Sequence, residues 1–215
     1  MIFMKRVFLI LISFVFLLEL NLSAQNSSFT SPDLSMFDVK GRVKSITYTH
    51  GISLPLNDRY KGAILFDTQG RCTNLKSLFF ERKQAPSMVV YRNKAGYIST
   101  IKHKDGEVFN MPTDFVFKWS GGKLIEYQYE ILPSDGVLYK LRYNNSKLYS
   151  LSMLGGGDGM VYEEYYVFSN FKYDSKGNWI QCTAKLTGYE EDELEGIKTP
   201  IPQTTFVIKR NITYY

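Results

Sequence analysis

The sequence predicts an all-β fold, an antiparallel meander of repeated β-hairpins that forms a curled sheet or an open barrel or sandwich. Three observations favour this class. A self-similar unit recurs about every 25 residues, apolar and polar side chains alternate between the turns, and aromatic residues make up 15% of the chain. Aromatic side chains are enriched in strands. The 44% hydrophobic and 22% charged content is that of a folded globular protein.

The recurring unit consists of an apolar residue, a run of turn formers and a second apolar residue. Its copies begin at Phe66, Tyr91, Phe117, Leu141 and Phe171. Each copy contains Gly, Asn, Asp or Ser, which tolerate the positive φ that tight hairpin turns require. Two strands per unit predict a meander of roughly ten to twelve strands. A sheet of this size curls, closes or splits into two layers.

Two segments show the alternation of a half-buried strand most clearly. In 126–131, the apolar face carries Tyr127, Tyr129 and Ile131. In 179–186, the apolar face is formed by Ile180, Cys182, Ala184 and Leu186. This parity places Trp179 on the opposite, polar face with Gln181, Thr183 and Lys185. No stretch sustains a capped helical period, so no helix is predicted.

The N-terminal 24 residues have the three-part layout of a secretory signal peptide. Lys5 and Arg6 precede an apolar run over residues 7–18, and a polar exit ends at Ala24. The apolar run has about twelve residues, whereas a spanning helix needs about twenty. We therefore expect cleavage after Ala24 and no transmembrane span afterwards, with an uncleaved anchor as the alternative. Residues 25–35 are polar and predict a flexible leader, and residues 36–215 predict one β-repeat domain.

One unit carries a resemblance to a known repeat. Residues 171–180, Phe-Lys-Tyr-Asp-Ser-Lys-Gly-Asn-Trp-Ile, resemble the tyrosine–aspartate (YD) repeat of the RHS type, with matches at Tyr173, Asp174, Gly177 and Trp179. The chain is also similar to small exported Gram-negative proteins of unknown function that carry degenerate copies of this repeat. In those proteins a strand like 41–46 opens the repeats. The resemblance implies a β-repeat fold and export, and it brings no catalytic residues.

Two unusual loops are predicted. The glycine-rich loop 154–160 lacks the Gly-Lys-Ser/Thr of a phosphate-binding loop and is followed by a strand, so we expect a mobile hairpin loop that makes contacts through residues such as Gly156 and Asp158. The second loop, 187–202, contains the acidic run 190–195. Clustered carboxylates can bind calcium, but the spacing is not that of an EF-hand, which favours a solvated acidic loop without a metal.

No catalytic group can be assigned from the sequence. Glycoside hydrolysis needs two carboxylates about 5–10 Å apart. Glu126 and Glu130 lie about 13 Å apart on one strand face, and the adjacent Glu163 and Glu164 point to opposite faces. His50 and His103 are expected in exposed turns, without a partner for a triad. A hydrolase whose carboxylates come from distant strands remains an alternative.

The cysteines and Trp179 carry the remaining predictions. Cys72 and Cys182 are permitted to form a disulfide in an oxidising compartment, provided that their Cα atoms lie within about 7 Å. Buried free thiols are the alternative. Trp179, on the predicted polar face, is a candidate exposed ring for binding a sugar or a protein, unless a second layer covers that face.

These observations predict an exported, non-catalytic binding or structural module of the cell envelope, located in the periplasm or at the cell surface. The predicted binding surface comprises Gly156, Asp158, Trp179 and Tyr189. The expected partner is an envelope protein, and a glycan is the alternative. No cofactor is predicted. The net charge of +5 is spread along the chain, which argues against nucleic acid, because that ligand requires a clustered basic face.

Overall fold

The computed structural model describes residues 29–50, 62–79, 87–104, 114–132 and 135–215. These residues form one open antiparallel sheet of 11 strands, not closed into a barrel, together with two short helices. The all-β meander predicted from the repeats is therefore confirmed. The predicted signal peptide, 1–24, and the first residues of the predicted leader lie outside the described residues.

The elements follow the chain in the order α1 (Pro32–Met36), β1 (Val43–His50), β2 (Ile64–Leu65), α2 (Leu75–Phe79), β3 (Met88–Arg92), β4 (Ile98–His103), β5 (Asp114–Ser120), β6 (Lys123–Leu132), β7 (Asp135–Asn144), β8 (Lys147–Gly157), β9 (Met160–Tyr173), β10 (Trp179–Asp192) and β11 (Ile197–Tyr214). The strand order is β2-β1-β11-β10-β9-β8-β7-β6-β5-β4-β3. The last strand thus pairs with the first, and β2 and β3 are the two edges.

Three of the repeated units turn in the same way. Asp67, Asn93 and Asp174 each accept two hydrogen bonds of 2.9–3.1 Å through the side-chain oxygen, from the backbone N–H groups two and four residues later. The residue three places on is a glycine with φ of +74° to +84° in each unit. The side chain thereby supplies the acceptor that closes the turn, and the glycine supplies the left-handed conformation.

The other two units turn over two residues. Gly121 and Gly122 have φ of 55° and 74°, and Asn145 and Ser146 have φ of 49° and 63°. Two consecutive positive φ angles are the signature of the hairpin turn that matches the twist of β-strands. Alternate connections of a meander lie at the same end of the sheet, so the turns 93–97, 121–122, 145–146 and 174–178 share one end, here called the turn end.

The hydrophobic core covers one face of the sheet. Tyr127 is 3% exposed, and its ring stacks on that of Tyr139 at 4.3 Å and 7°. Tyr129 packs against the same core, so the face predicted for 126–131 is confirmed for these tyrosines. Helix α2 packs on this face, with the ring of Phe79 5.0 Å from that of Phe115.

Residues 29–35, which the sequence assigns to a leader, contain the start of helix α1. Ser31 caps α1 by accepting a 3.1 Å hydrogen bond from the Leu34 N–H, and Pro32 follows at the start of the helix. Leu34 is fully buried and Asp33 is 1% exposed. Helices α1 and α2 have five residues each, too few to show a helical period in the sequence.

The two predicted loops are mostly strand. β8 extends to Gly157 and β9 begins at Met160, so the glycine-rich segment is a hairpin with a two-residue turn. A Cβ at Gly155 would lie 2.1 Å from the Tyr162 ring, so a larger residue there would displace that ring. In 187–202, the turn is confined to residues 193–196. Pro200 and Pro202 lie where β11 pairs with β10 but not with β1, and proline is tolerated on such an unpaired side.

Within the described ranges, no helix has the length and apolar character needed to cross a membrane.

The side chain of Asn93 provides a test of the turn mechanism. We expect Asn93→Ala to lower the free energy of unfolding by about 1–2 kcal/mol, because two backbone N–H groups lose their acceptor. Asn93→Asp keeps that acceptor, as in Asp67 and Asp174, and should change stability by less than about 0.5 kcal/mol. Urea unfolding followed by tryptophan fluorescence measures both. Equal losses in the two variants would contradict the mechanism.

Candidate functional site

A cleft of about 590 Å³ opens at the turn end of the sheet. One wall is formed by residues of segment 29–40, including Asp38 and Lys40, and the other by residues of four repeated units, including Tyr97, Gly121 and Lys147. The volume lies within the range of small-molecule binding sites. The cleft therefore exists because segment 29–40 is held across the turns.

The first anchor of this segment is the buried carboxylate of Asp33. It accepts a 2.8 Å hydrogen bond from the Cys72 N–H and two from the Arg92 guanidinium, at 2.5 and 2.9 Å. Cys72 follows edge strand β2, and Arg92 lies in edge strand β3. Asp33 thus joins the two edges of the sheet. Beside it, the Ser31 hydroxyl donates to the Gly70 carbonyl at 2.6 Å.

The second anchor is the amide of Asn178, which is 2% exposed. Its Oδ1 accepts from the Lys40 N–H at 2.9 Å, and its Nδ2 donates to the Lys40 carbonyl at 2.8 Å and to the Tyr214 hydroxyl at 2.8 Å. The side chain pairs with the Lys40 backbone as a neighbouring strand would. This role was not predicted, and the signal available in the sequence is the Gly-Asn-Trp at the end of the last unit.

The third anchor is Arg210, which is 3% exposed. Its guanidinium donates to the carbonyls of Phe37, Asp38 and Trp179 at 2.8, 3.1 and 2.5 Å. Burial lowers the pKa of Arg210. Three carbonyl acceptors compensate part of the cost of burying the cation, and they fix residues 37 and 38 at the mouth of the cleft.

Trp179 is buried, which corrects the predicted exposed position. It is 4% exposed, and the Arg210 guanidinium lies 3.6 Å from its ring centroid. The register with β9 shifts between Trp179 and Gln181, and such a bulge moves the side chain to the other face. Trp179 lines the cleft, and its Nε1–H is buried with no acceptor among the described residues.

The cleft is positively charged. Among the described residues that line it, Lys40, Lys123 and Lys147 are the cations and Asp38 is the carboxylate, a net formal charge of +2. Lys123 forms a 2.5 Å ion pair with Asp38. Neither Lys40 nor Lys147 forms an ion pair with a described residue, and Lys147 Nζ lies 5.1 Å from the ring centroid of Tyr173. Two cations are therefore available to an anionic ligand.

The other predicted binding residues do not join Trp179. Gly156, Asp158 and Tyr189 lie toward the opposite end of the sheet. Gly156 lines a shallow depression of about 290 Å³. The Tyr189 hydroxyl donates to Glu163 at 2.6 Å, and the Tyr165 hydroxyl donates to the same carboxylate. These hydrogen bonds lower the pKa of Glu163.

The carboxylates considered for hydrolysis form hydrogen bonds and ion pairs with other kinds of side chain. Glu126 forms an ion pair with Lys118. Glu163 bonds to Tyr165 on one face, and Glu164 bonds to the buried Tyr166 on the other, as expected for adjacent strand residues.

The histidines lie in strands rather than in turns. His103 is half-buried at the end of β4, and His50 ends β1 with its side chain outside the described residues.

Within the acidic run, the Asp192 side chain stabilises the turn that follows it. An Asp192 oxygen accepts from the N–H groups of Leu194 and Glu195 at 2.9 and 3.1 Å. Within the described ranges, no three His, Cys, Asp or Glu residues lie close enough together to hold a metal ion.

Cys72 and Cys182 are free thiols, which is the second of the two alternatives that the sequence leaves open. Cys72 lies beyond β2, whereas Cys182 lies in β10, and three interstrand spacings of about 4.8 Å separate these strands. That separation exceeds the reach of a disulfide. Burial raises the pKa of the Cys72 thiol to about 12 and that of Cys182 to about 11.

Comparison with protein-family models, curated proteins and solved structures finds no match to this chain.

Replacement of Asn178 tests the second anchor. We expect Asn178→Ala to lower the free energy of unfolding by about 2–3 kcal/mol, because the Lys40 backbone N–H and carbonyl both lose their partner. Asn211→Ala, in exposed β11 sequence, should change stability by less than about 0.5 kcal/mol. Urea denaturation compares the two variants. An equal effect of both would show that the Asn178 amide is not an anchor.

The thiols can be tested by alkylation. With pKa values of about 12 and about 11, neither cysteine should react with iodoacetamide in the folded protein near about pH 8, since the thiolate is the reactive form. After unfolding in urea without reductant, intact-mass spectrometry should show both cysteines alkylated. A chain that takes up label only after reduction would contain the disulfide.

Proposed function

We propose that this chain is an exported, non-catalytic binding module of the cell envelope that holds an anionic ligand in the turn-end cleft. The observation that carries the proposal is the wall of the cleft, where Lys40 and Lys147 have no carboxylate partner among the described residues. The buried Asn178 and Arg210 hold this wall in place. A preformed, positively charged cleft favours binding of an anion without a large ordering cost.

The arrangement of acids favours binding over hydrolysis. Asp38 is the carboxylate among the described residues of the cleft, and it is committed to Lys123. Hydrolysis of a glycosidic bond uses two carboxylates on either side of the substrate. We therefore place the ligand in contact with the lysines and assign no chemical step to the cleft.

The relationship to RHS-type repeats belongs to this proposal. It is supported by the roles of the motif residues in 171–180: Asp174 accepts the turn N–H groups, and Gly177 has φ of +74°. Export is supported by the signal-peptide layout of residues 1–24.

An acidic glycan is one candidate for this anionic ligand, because aromatic rings also line the cleft. The Tyr97 ring packs on that of Trp119 at 4.7 Å, and Tyr173 packs on Phe171 at 6.1 Å. Rings held in this way present rigid apolar surfaces with a polar hydroxyl. Lysines beside such rings suit a sugar that carries a carboxylate or phosphate.

Gly121→Asn tests the cleft. A Cβ at Gly121 would meet nothing within 4 Å, and asparagine adopts the same left-handed conformation at Asn145 in the next two-residue turn. The variant should therefore fold and add a polar side chain to the wall of the cleft. Gly196→Asn is the matched control, because Gly196 also has positive φ and open space but lies in the turn after β10.

The measurement is isothermal titration calorimetry on full-length chain purified from the envelope, with trigalacturonate, its neutral methyl ester and tetraglutamate as probes. We expect an acidic probe to bind wild type and G196N with similar affinity. It should bind G121N about tenfold or more weakly, because the added side chain occupies space that the probe needs. Preference for trigalacturonate supports the glycan candidate. Binding that G121N leaves unchanged, or no binding of either acidic probe, would contradict the proposal.

A further inference from the structure

The face of the sheet opposite the core carries a row of cations on β7 to β10. Arg142 pairs with Ser150, Ser150 with Val167, and Val167 with Lys185. Their chain neighbours Leu141, Tyr166 and Ala184 are buried. Because alternate strand residues point to opposite faces, this row points away from the core.

A second row lies closer to the turn end. Gln181 pairs with Lys172 on one side and with Lys209 on the other. Between the two rows, Val207 pairs with Thr183. Arg142, Lys172, Lys185 and Lys209 are all exposed. These four cations, together with Val167 and Val207, are called the basic outer patch.

Among the described residues, the patch contains no carboxylate. The other outward positions carry hydroxyl or amide groups, such as Ser150, Thr183 and Gln181. Arg142, Lys172 and Lys185 form no ion pair with a described residue. On the same face, Glu163 accepts hydrogen bonds from Tyr165 and Tyr189, and Glu126, which pairs across strands with Lys140, forms an ion pair with Lys118. The four cations therefore give the patch a net positive charge.

Apolar side chains lie among these cations. Val167 and Val207 are each 39% exposed, and Tyr165, at the margin of the patch, is 42% exposed. A partner bound by charge alone would gain nothing from these apolar side chains. At a bilayer, apolar side chains enter the interface, while lysine and arginine stems lie along it with their charges at the headgroups.

We propose that the basic outer patch binds the surface of an anionic phospholipid bilayer. The charge of the patch is complementary to lipid phosphates. Its exposed valines favour a bilayer over a soluble polyanion, because only the bilayer offers an apolar region for them to enter. The cleft opens at the turn end and not on this face, so membrane contact and ligand binding use different residues. This proposal goes beyond the binding function assigned to the cleft.

The test is co-sedimentation of the full-length chain with vesicles of phosphatidylglycerol and phosphatidylcholine, compared with vesicles of phosphatidylcholine alone. We expect binding to the anionic vesicles only, and release at about 1 M salt. The double variant K172Q/K185Q should bind about tenfold or more weakly, since each cation near an anionic membrane contributes separately. The matched control K94Q/K104Q removes two exposed lysines elsewhere and should bind like wild type.

A second double variant, V167T/V207T, keeps the charge and the β-branched shape and should weaken vesicle binding about threefold. Wild type that ignores anionic vesicles, equal loss in K94Q/K104Q, or unchanged binding by V167T/V207T would each overturn the lipid assignment. Polygalacturonate is added as a soluble polyanion, and preferential binding to it would also overturn the assignment. G121N should bind vesicles normally, so failure of the patch and failure of the cleft are distinguishable.

Discussion

The buried guanidinium of Arg210 is the interaction on which the rest of the turn end depends. It lies in β11, between the Trp179 carbonyl of β10 and the carbonyls of Phe37 and Asp38. A buried cation without acceptors is strongly destabilising, and so is a buried carbonyl without a donor. Each group therefore requires the other. Since Asp38 is held there, it forms an ion pair with Lys123 at the start of β6, and this contact shapes the cleft.

The same segment also solves the problem that an open sheet creates at its edges. A sheet of 11 strands leaves two edge strands, and unpaired edges favour association with other chains. Here β2 and β3 are not hydrogen-bonded to each other. The buried Asp33 instead joins the N–H of Cys72, beyond β2, to Arg92 in β3. The repeats form the strands of the sheet, and segment 29–40 links its two edges through Asp33.

Features that depend on neighbouring residues were predictable from the sequence, and features that depend on distant contacts were not. The turn at Asp174 is encoded within five residues, so the pattern predicted it. The face of Trp179 depends on a bulge in pairing with β9, which simple alternation misses. The polar stretch 29–35 resembles a leader in the sequence because the partners of Asp33 are 39 and 59 residues away. The cleft was missed for the same reason.

The two kinds of turn close their hairpins by different means, and both line the cleft. In the turns of Asp67, Asn93 and Asp174, the polar side chain accepts hydrogen bonds from the backbone of its own turn. In the two-residue turns, positive φ alone closes the hairpin, and no side chain is needed for closure. Gly121 and Lys147, in and beside these turns, line the cleft, and so do Tyr97 and Gly177 from turns of the first kind. The cleft is therefore formed by both kinds of turn, because the meander places them at the same end of the sheet.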